Sequence, residues 1–587
     1  MRFILWVFAI IGFFAVVFLC LILYVAVHFS FTPKAEQIAE NTVLRIDLDK
    51  AISERPQPFG NLFGDETTNY TTLLNALKHG ADDSRVKGLV ARTGNATLGF
   101  AQVQELREAV KAFRAKGKFA YAFGETFGEL GGGTRSYYAA TAFDQIWLQP
   151  TGALALVGIH AEVPFFKGTL DKIGVEAQFG RRAEFKSAAT QFTETKLLAT
   201  DREAEDAMLT SLYEQIAAGI GEGRGVTPDI AKQLIDGGPY TNQQALDKHL
   251  IDKIGYRDEV EAAAREKAGS GANMMDPNDY LTAVQVGETA TDVVAVIRAI
   301  GPIVSGGGSD SPFDNSDTVS ADSTVRALEE ATRDKQVKAI VLRIDSPGGS
   351  GTASESIWRA VKRAREAHKP VIVSMGNAAA SGGYYIACGA DKIVADPGTL
   401  TGSIGVFAGK FVLAGLYDKL GITVDTLSYG HDAGIESDQT EFTPEQKQHF
   451  NDMLDDFYKT FVARVAEGRH LDPVKAEAIA RGRVWTGLQA KERGLVDMLG
   501  GFEEAITQAK LAAGLPADKP VILRSFPKPR STFDKLVAGF DGMPDQGTEN
   551  FGLLHRLSLL APLLHRLDQL ETIERGGAVM QPIDITD

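Results

Sequence analysis

An internal duplication constrains the fold of this chain more than any other feature of its sequence. Tyr137-Tyr138 returns 247 residues later as Tyr384-Tyr385. The stretch Asp171-Lys-Ile-Gly-Val175 returns at the same interval as Asp418-Lys-Leu-Gly-Ile422. Single residues keep this spacing as well: Asp144 and Asp391, Ile146 and Ile393, Pro150 and Pro397, Gly158 and Gly405. Because a fixed long-range period marks repeated structural units, the sequence predicts two copies of one domain.

Each copy alternates apolar, β-rich runs with amphipathic helical stretches. In the second copy the pattern predicts strands over residues 337–344 and 370–375 with a helix over 352–367 between them. The first copy has a matching strand at 86–90 and a helix at 102–116. Thr352-Ala-Ser-Glu355 predicts a capping box at the start of the later helix. Alternating strands and helices predict an α/β fold built on largely parallel sheets.

The N-terminus predicts one transmembrane helix before the two copies. Residues 3–27 carry no charged side chain and are long enough to cross a bilayer. The following sequence, His28-Phe-Ser-Phe-Thr-Pro-Lys34, lacks a small-x-small cleavage site, which favours a retained anchor over a cleaved signal peptide. Arg2 before the span and Glu36 and Glu40 after it favour an N-terminus inside and the bulk of the chain outside.

Composition excludes several classes of protein. The net charge of −15 does not supply the clustered basic side chains that nucleic-acid binding needs. The two cysteines, Cys20 and Cys388, allow neither a disulfide framework nor a cysteine zinc site. No histidine or carboxylate cluster has the spacing of metal ligands, so we expect no metal and no cofactor.

These patterns divide the chain into four parts. Residues 267–272 and 306–311 have the Gly- and Ser-rich composition of loops or linkers. Beyond about 515 the chain becomes an interrupted amphipathic tail, which either packs on its own domain or meets a membrane surface or a partner. The predicted units are an anchor at 1–30, a first repeat at 40–270, a second repeat at 285–515 and the tail at 516–587.

Glycine-rich turns and two serines in the second copy form a candidate site. Ser346-Pro-Gly-Gly349 follows a predicted strand, where glycine N–H groups can face a developing oxyanion. Ser381 lies in a small-residue stretch, Ala378-Ala-Ala-Ser-Gly-Gly383, that allows close approach by a substrate. Ser403 follows in Thr401-Gly-Ser, and competes for the role of nucleophile. Each motif alone is typical of a turn or a helix N-cap, so only their combination indicates catalysis.

Three stretches carry a specific family resemblance: Ser346-Pro-Gly-Gly, Met375-Gly-Asn-Ala-Ala-Ala-Ser-Gly-Gly-Tyr-Tyr-Ile-Ala, and Leu400-Thr-Gly-Ser-Ile-Gly-Val. The chain resembles the long, duplicated form of the signal peptide peptidase A family (protease IV, peptidase family S49) over roughly residues 40–515. The domains of that family resemble the fold shared by Clp protease and crotonase.

The resemblance assigns roles to individual residues. It implies that Ser381 is the nucleophile and that Ser403 bonds and orients the amine of a lysine base. It also implies that the N–H groups of Gly349 and Gly382 form the oxyanion hole, with Gly348 left open as the alternative to Gly349.

The lysine base is expected in the first copy. Short relatives carry it downstream of Thr-Gly-Ser, whereas here the stretch after Ser428 contains none. The 247-residue interval places Lys186 on Ala433, inside this lysine-free stretch, and long relatives carry a similar Lys-Ser-Ala segment. Conversely, the first copy has Thr134 at the position of Ser381. The two copies thus each keep half of a site.

A lysine base requires a special environment. Its pKa of about 10.4 must fall through burial or a neighbouring cation, and Arg181 and Arg182 are candidates for the second cause. His431 lies where the lost lysine would be, and is the alternative base.

The sequence therefore predicts a membrane-anchored Ser/Lys endopeptidase. The resemblance implies cleaved signal peptides and other unfolded peptides as substrates, and a homotetramer with a concave interior. It implies attachment to a bacterial inner membrane with the catalytic domains on the periplasmic side. A crotonase-like acyl-CoA enzyme and a non-catalytic membrane scaffold remain the alternatives.

Overall fold

The structure is a computed structural model, and it describes residues 37–54, 68–129, 131–285, 290–306 and 318–527, with residue 18 and residues 585–586. The predicted anchor at 1–30 lies outside these residues except at position 18, and so does most of the predicted tail. Across the described ranges, no helix combines the length and the apolar character needed to cross a membrane.

The first copy is built on a six-stranded parallel sheet. Its strands lie in the order β11-β6-β5-β4-β1-β12. In chain order they are Thr42–Asp47 (β1), Val86–Arg92 (β4), Phe119–Gly124 (β5), Gln145–Leu148 (β6), Lys253–Ile254 (β11) and Met274–Met275 (β12). The helices of this copy are Tyr70–Asp82 (α1), Phe100–Ala115 (α2), Thr134–Ala140 (α3), Lys167–Ile173 (α4), Thr190–Thr193 (α5), Ala199–Arg224 (α6), Pro228–Asp236 (α7), Asn242–Asp247 (α8), Arg257–Ala268 (α9) and Pro277–Gln285 (α10).

The second copy repeats this plan in an eight-stranded sheet. Its main path runs β21-β19-β17-β16-β13-β23, and β18 pairs with both β17 and β22. The strands are Val293–Ile300 (β13), Val337–Ser346 (β16), Val371–Ala380 (β17), Lys392–Ala395 (β18), Leu400–Gly402 (β19), Val484–Thr486 (β21), Met498–Leu499 (β22) and Ile522–Phe526 (β23). The helices are Ala321–Arg333 (α11), Gly351–Glu366 (α12), Gly382–Cys388 (α13), Ala414–Leu420 (α14), Pro444–Arg469 (α15), Pro473–Ile479 (α16), Gly487–Glu492 (α17) and Phe502–Ala512 (α18).

Ten short strands form pairs outside the two large sheets. These are β2 (Ile52–Ser53) with β3 (Thr68–Asn69), β7 (Ala153–Leu154) with β10 (Tyr240–Thr241), β8 (His160–Ala161) with β24 (Ile585–Thr586), β9 (Glu176–Arg182) with β20 (Val406–Val412), and β14 (Ile303–Val304) with β15 (Val319–Ser320).

The central strands are apolar because helices cover both faces of each sheet. Seven of the eight residues of β13 are buried, and β16 is buried over most of its length. The predicted α/β fold with parallel sheets is confirmed, and β16, β17 and α12 lie where the sequence predicts strand, strand and helix. The predicted capping box is wrong: α12 begins at Gly351, and the Ser350 side chain caps it by accepting from the N–H of Ala353.

The second sheet continues beyond the predicted boundary at 515. β23 pairs with β13 in parallel over five residues, from Val293 opposite Ile522 to Ile297 opposite Phe526. Residues 522–526 therefore belong to the main sheet of the second copy. The composition of this stretch resembles the tail that follows, so only its pairing reveals the assignment.

Many contacts join the copies, among them a strand pairing and a buried ion cluster. β9 of the first copy pairs antiparallel with β20 of the second over seven residue pairs, from Arg182 opposite Val406 to Glu176 opposite Val412. We call this pairing the inter-copy seam. The second contact is a buried ion cluster, in which Arg343 of the second copy contacts Glu54 at 2.7 Å and Glu105 at 2.9 Å in the first copy.

We predict that Arg343→Met destabilises the chain strongly, because it leaves Glu54 and Glu105 buried without their cation. Removing one partner of a buried ion pair typically costs about 3–5 kcal/mol. The matched control is Arg359→Met, which breaks the exposed pair with Glu366 and should change the free energy of unfolding by less than about 1 kcal/mol. Chemical denaturation of both variants measures the difference, and equal unfolding midpoints would contradict this account of the cluster.

Candidate active site

Ser381 lies on the tight turn between β17 and α13. Its backbone has φ +53°, a left-handed conformation that a non-glycine residue adopts rarely and that is concentrated at functional sites. Its N–H donates to the carbonyl of Gly402 at 2.9 Å, which ties the turn to β19. The serine hydroxyl makes no capping bond to α13, so it is free for another partner.

That partner is Lys186, from the first copy. Its Nζ lies 3.0 Å from Ser381 Oγ, 2.9 Å from Ser403 Oγ and 3.1 Å from the carbonyl oxygen of Ser403. Both serines and the lysine are buried, with only 1% of Lys186 exposed. The two half-sites predicted from the duplication therefore meet within a single chain.

The inter-copy seam carries Lys186 to this position. Lys186 follows β9 by four residues, and Arg182 at the end of β9 donates to Asp455 of α15 at 2.5 Å. The N–H of Phe185 donates to the Arg481 carbonyl at 3.1 Å. Gly482 allows the close approach, because it has φ +78° and a Cβ there would lie 2.6 Å from the Lys186 nitrogen. The lysine loop of one copy is thus held by backbone contacts with the other.

Burial alone lowers the pKa of Lys186, to about 7. Desolvation disfavours the charged ammonium, and the three oxygen contacts carry no net charge. The two arginines considered from the sequence bind elsewhere: Arg182 pairs with Asp455, and Arg181 donates to the Lys186 carbonyl at 3.2 Å. At pH 7 a large share of the Lys186 amine is therefore neutral and able to accept a proton.

Backbone donors lie beside the serine. Gly348 donates its N–H to Ser346 Oγ at 3.2 Å, whereas the Gly349 N–H has no acceptor among the described residues. A Cβ on Gly382 would lie 3.2 Å from the Gly349 nitrogen, so these two residues are adjacent. Gly382 begins α13, and the first N–H groups of a helix have no partner within it. Gly349 and Gly382 therefore present two neighbouring N–H donors. The N–H of Gly348 is already bonded to Ser346.

His431 lies on the surface, away from this arrangement. Its ring nitrogens contact Asp432 at 3.1 Å and Glu445 at 3.7 Å, and its side chain is exposed. None of its contacts within the described chain involves Ser381. The histidine alternative therefore has no geometric support.

Asp345 is a site-supporting residue that the sequence interpretation missed. This carboxylate, at the end of β16, accepts from the Ala378 N–H at 2.9 Å and from Asn377 Nδ2 at 3.1 Å, three and four residues before Ser381. Burial raises the pKa of Asp345 to about 6. Asp345 directly precedes the motif Ser346-Pro-Gly-Gly349, but no pattern indicated its partners more than thirty positions away.

Among the described residues, no group of three or more His, Cys, Asp or Glu side chains is arranged to hold a metal ion. The site instead combines a serine hydroxyl, a buried amine and free peptide N–H groups. These are the groups that covalent acyl transfer employs.

Comparison with known proteins agrees with this chemistry. The model of peptidase family S49 matches residues 113–270 and 363–516, which is more than half of the chain, and the Clp protease model matches residues 313–396. "Serine protease SPPA, chloroplastic" of Arabidopsis thaliana is 32% identical, over 83% of this chain and 72% of its own. "Protease 4" of Salmonella typhi is 33% identical, over 77% and 74%. "Putative signal peptide peptidase SppA" of Enterococcus faecium is 37% identical, over 31% and 53%.

Fold, site and relatives together define a serine protease built from a duplicated, Clp-like α/β domain. The two matched segments fall one in each copy. The chain belongs to peptidase family S49.

We predict that proteolytic activity falls in acid with a midpoint near pH 7, because a role for Lys186 as general base requires its neutral amine. Below the midpoint kcat/KM should drop about tenfold per pH unit. Lys186→Ala should lower kcat by roughly 10³-fold or more at every pH. The control is Lys196→Ala, an exposed lysine ten residues further on, which should keep the wild-type profile.

Stability supplies a second readout of the same pKa. The unfolded state holds a proton on Lys186 up to its usual value of 10.5, while the folded state releases it near 7. The unfolded state therefore binds more protons between pH 7 and 10.5, and this group makes stability rise with pH in that window. Lys186→Met should remove that rise. A wild-type profile that is flat between pH 7 and 10.5, or an equal rise in Lys186→Met, would refute the assignment.

Proposed function

We propose that this protease is a membrane-anchored endopeptidase that degrades cleaved signal peptides with a Ser/Lys dyad. Ser381 is the nucleophile, Lys186 the general base and Ser403 the residue that orients the amine. The observation that carries the proposal is the 3.0 Å contact between Lys186 Nζ and Ser381 Oγ in a buried site. An exposed lysine keeps its charge at neutral pH, whereas the buried Lys186 amine has a pKa of about 7. Such an amine beside a strained serine is best explained by catalysis.

The first half of the reaction forms an acyl-enzyme. Neutral Lys186 takes the hydroxyl proton of Ser381 as Oγ attacks the scissile carbonyl carbon. The resulting oxyanion accepts hydrogen bonds from the N–H groups of Gly349 and Gly382. The Lys186 ammonium then gives its proton to the departing amide nitrogen, and the C–N bond breaks. Ser381 is left as an ester of the substrate.

The second half releases the product. A water attacks the ester carbonyl while Lys186 accepts one of its protons, and the same two N–H groups hold the second oxyanion. When the C–Oγ bond breaks, Lys186 returns that proton to Ser381. Ser403 contacts the amine with both its hydroxyl and its carbonyl oxygen, so it keeps the amine aimed at Ser381 in both halves.

The substrate and the location are inferred from the sequence and from relatives. Residues 3–27 are free of charge and long enough for a transmembrane anchor, and one relative is named as a putative signal peptide peptidase. An anchor of this orientation places the two repeats, residues 40–270 and 285–515, on the periplasmic side of a bacterial inner membrane. There released signal peptides and other unfolded peptides are within reach. We further propose a homotetramer, whose concave interior excludes folded proteins.

We predict that a serine-directed phosphonate probe labels Ser381 and that Ser381→Ala abolishes both labelling and cleavage of a synthetic signal peptide. The loss of kcat should be roughly 10³-fold or more, because the covalent pathway disappears. Ser356→Ala, an exposed serine on α12, is the matched control and should keep full labelling and activity. Mass spectrometry locates the adduct.

Three outcomes separate the alternatives. Full peptide cleavage by Ser381→Ala removes the serine from the mechanism. Absence of any adduct in the intact, detergent-solubilised chain supports a non-catalytic scaffold. Binding of coenzyme A thioesters without peptide cleavage supports the acyl-CoA alternative.

A folded globular protein added as competitor should remain uncut.

A further inference from the structure

The lysine loop, residues 183–189 between β9 and α5, is held from two sides. The second copy holds one side, where the Arg481 carbonyl accepts a backbone N–H of the loop. The other side lies against the first turn of α6, where the Thr200 hydroxyl donates to the Glu184 carbonyl at 3.3 Å. The position of Lys186 therefore depends on α6 of its own copy as well as on the second copy.

Asp201, in the first turn of α6, is a buried carboxylate beside this loop. Its Oδ2 lies 3.2 Å from Thr190 Oγ1, and the Thr190 hydroxyl donates to the Ser187 carbonyl at 2.6 Å. Its Oδ1 lies 4.0 Å from Arg181 Nη1, which donates to the Lys186 carbonyl at 3.2 Å. Asp201 thus contacts both side chains that hold the carbonyls of Lys186 and of the residue after it.

Burial of Asp201 is energetically unfavourable. Only 1% of the residue is exposed, and its Oδ1 has no hydrogen-bond partner among the described residues. A buried carboxylate that is incompletely hydrogen-bonded lowers stability, which indicates a role other than packing.

Capping of the helix does not require a carboxylate at this position. Asp201 is the third residue of α6, and the third residue of the equally long α15 in the second copy is Gln446. The Oε1 of Gln446 accepts from the N–H of Thr443 and so caps α15 without a charge. At this position the carboxylate is therefore found only in the copy that carries the lysine.

We propose that Asp201 positions the lysine base: through Thr190 and Arg181 it keeps the lysine loop closed against α6, so that water does not reach the buried amine. The inference rests on the Ser/Lys dyad of the proposed function, because it concerns how the base is held. None of the contacts of Asp201 within the described chain involves Lys186 Nζ, so Asp201 acts through the loop.

The direction of a pKa change distinguishes loop closure from a direct effect of charge. Burial lowers the pKa of Lys186, so a loosened loop that admits water should raise this pKa towards its usual value. An anion near an amine raises the pKa of the amine, so the loss of a directly acting Asp201 charge would lower it. The two roles of Asp201 therefore predict opposite shifts of the acid limb of the activity profile.

Other charged groups lie around Asp201, and their effects must be separated from its own. Arg181 of β9 and Glu194 after α5 interact with it electrostatically, and so does Glu205 one turn further along α6. Burial raises the pKa of Glu205 to about 7, in the range where Lys186 is expected to titrate. Glu205→Gln is therefore the control for the identity of the titrating group, and it should keep the wild-type midpoint.

The pH profile of kcat/KM for a synthetic signal peptide tests the proposal. Asp201→Ala should move the acid midpoint up by about one pH unit, so that kcat/KM falls about tenfold at pH 6 and less than about twofold at pH 9. Thr190→Val, which removes the hydroxyl with little change of shape, should shift the midpoint in the same direction. The double variant should shift it no further than Asp201→Ala, because both changes break one link.

Asp206→Ala, which removes an exposed carboxylate from the same helix, is the matched control and should keep the wild-type profile. An acid midpoint that stays in place or falls in Asp201→Ala overturns the role of Asp201, and so does a loss by the same factor at every pH. If Asp201→Ala does not fold, Thr190→Val decides by the same criteria. A limb that disappears in Glu205→Gln also overturns the proposal. A wild-type profile without an acid limb near pH 7 rejects the dyad itself.

Discussion

The antiparallel pairing of β9 with β20 is the constraint on which the rest of the site depends. Seven residue pairs hold the two copies in one register, and Lys186 follows four residues after the end of β9. If this register slipped by one residue, the amine would be displaced by more than 3 Å from Ser381. The strand pairing therefore determines whether the Ser381 hydroxyl and the Lys186 amine can meet.

The same seam explains why the amine is neutral enough to serve as a base. Lys186 of the first copy is enclosed by the second copy, with Gly482 and the Arg481 carbonyl beside its backbone segment and Ser403 at its amine. No anion of the described residues lies against the amine, so burial lowers the pKa of Lys186 to about 7. A single-copy domain would have to bury its lysine within its own loops. Here the second copy encloses the lysine of the first copy. The two copies can therefore diverge into complementary halves of one site.

Sequence patterns predicted the frame and the main site residues, because both leave periodic or reciprocal traces. Alternating apolar runs predicted β16, α12 and β17, and the reciprocal absence of a serine and a lysine pointed to Ser381 and Lys186. Contacts without a local trace were not predictable. The choice of Gly349 over Gly348 depends on one hydrogen bond to Ser346. The start of α12 depends on Ser350, two residues before the expected cap at Thr352.

Long-range ionic contacts were equally unpredictable from the sequence. Arg343 meets Glu54 and Glu105 across more than two hundred residues, and single charged residues in apolar strands carry no sign of their partners. Asp345 directly precedes the Ser346-Pro-Gly-Gly349 motif, yet its hydrogen bond from the Ala378 N–H follows only from the fold. Repeated features can therefore be predicted from the sequence, whereas pairings between unique residues are apparent only in the folded structure.

The most direct test of the central claim, that each chain assembles its own site from its two copies, is complementation between inactive chains. Ser381→Ala and Lys186→Ala chains are co-expressed with different tags, and assemblies that contain both are isolated and assayed with a signal peptide. Because both halves of each site come from one chain, the mixed assemblies should be no more active than either variant alone. Recovery of a substantial fraction of wild-type activity would show that serine and lysine meet between chains, and would contradict the account.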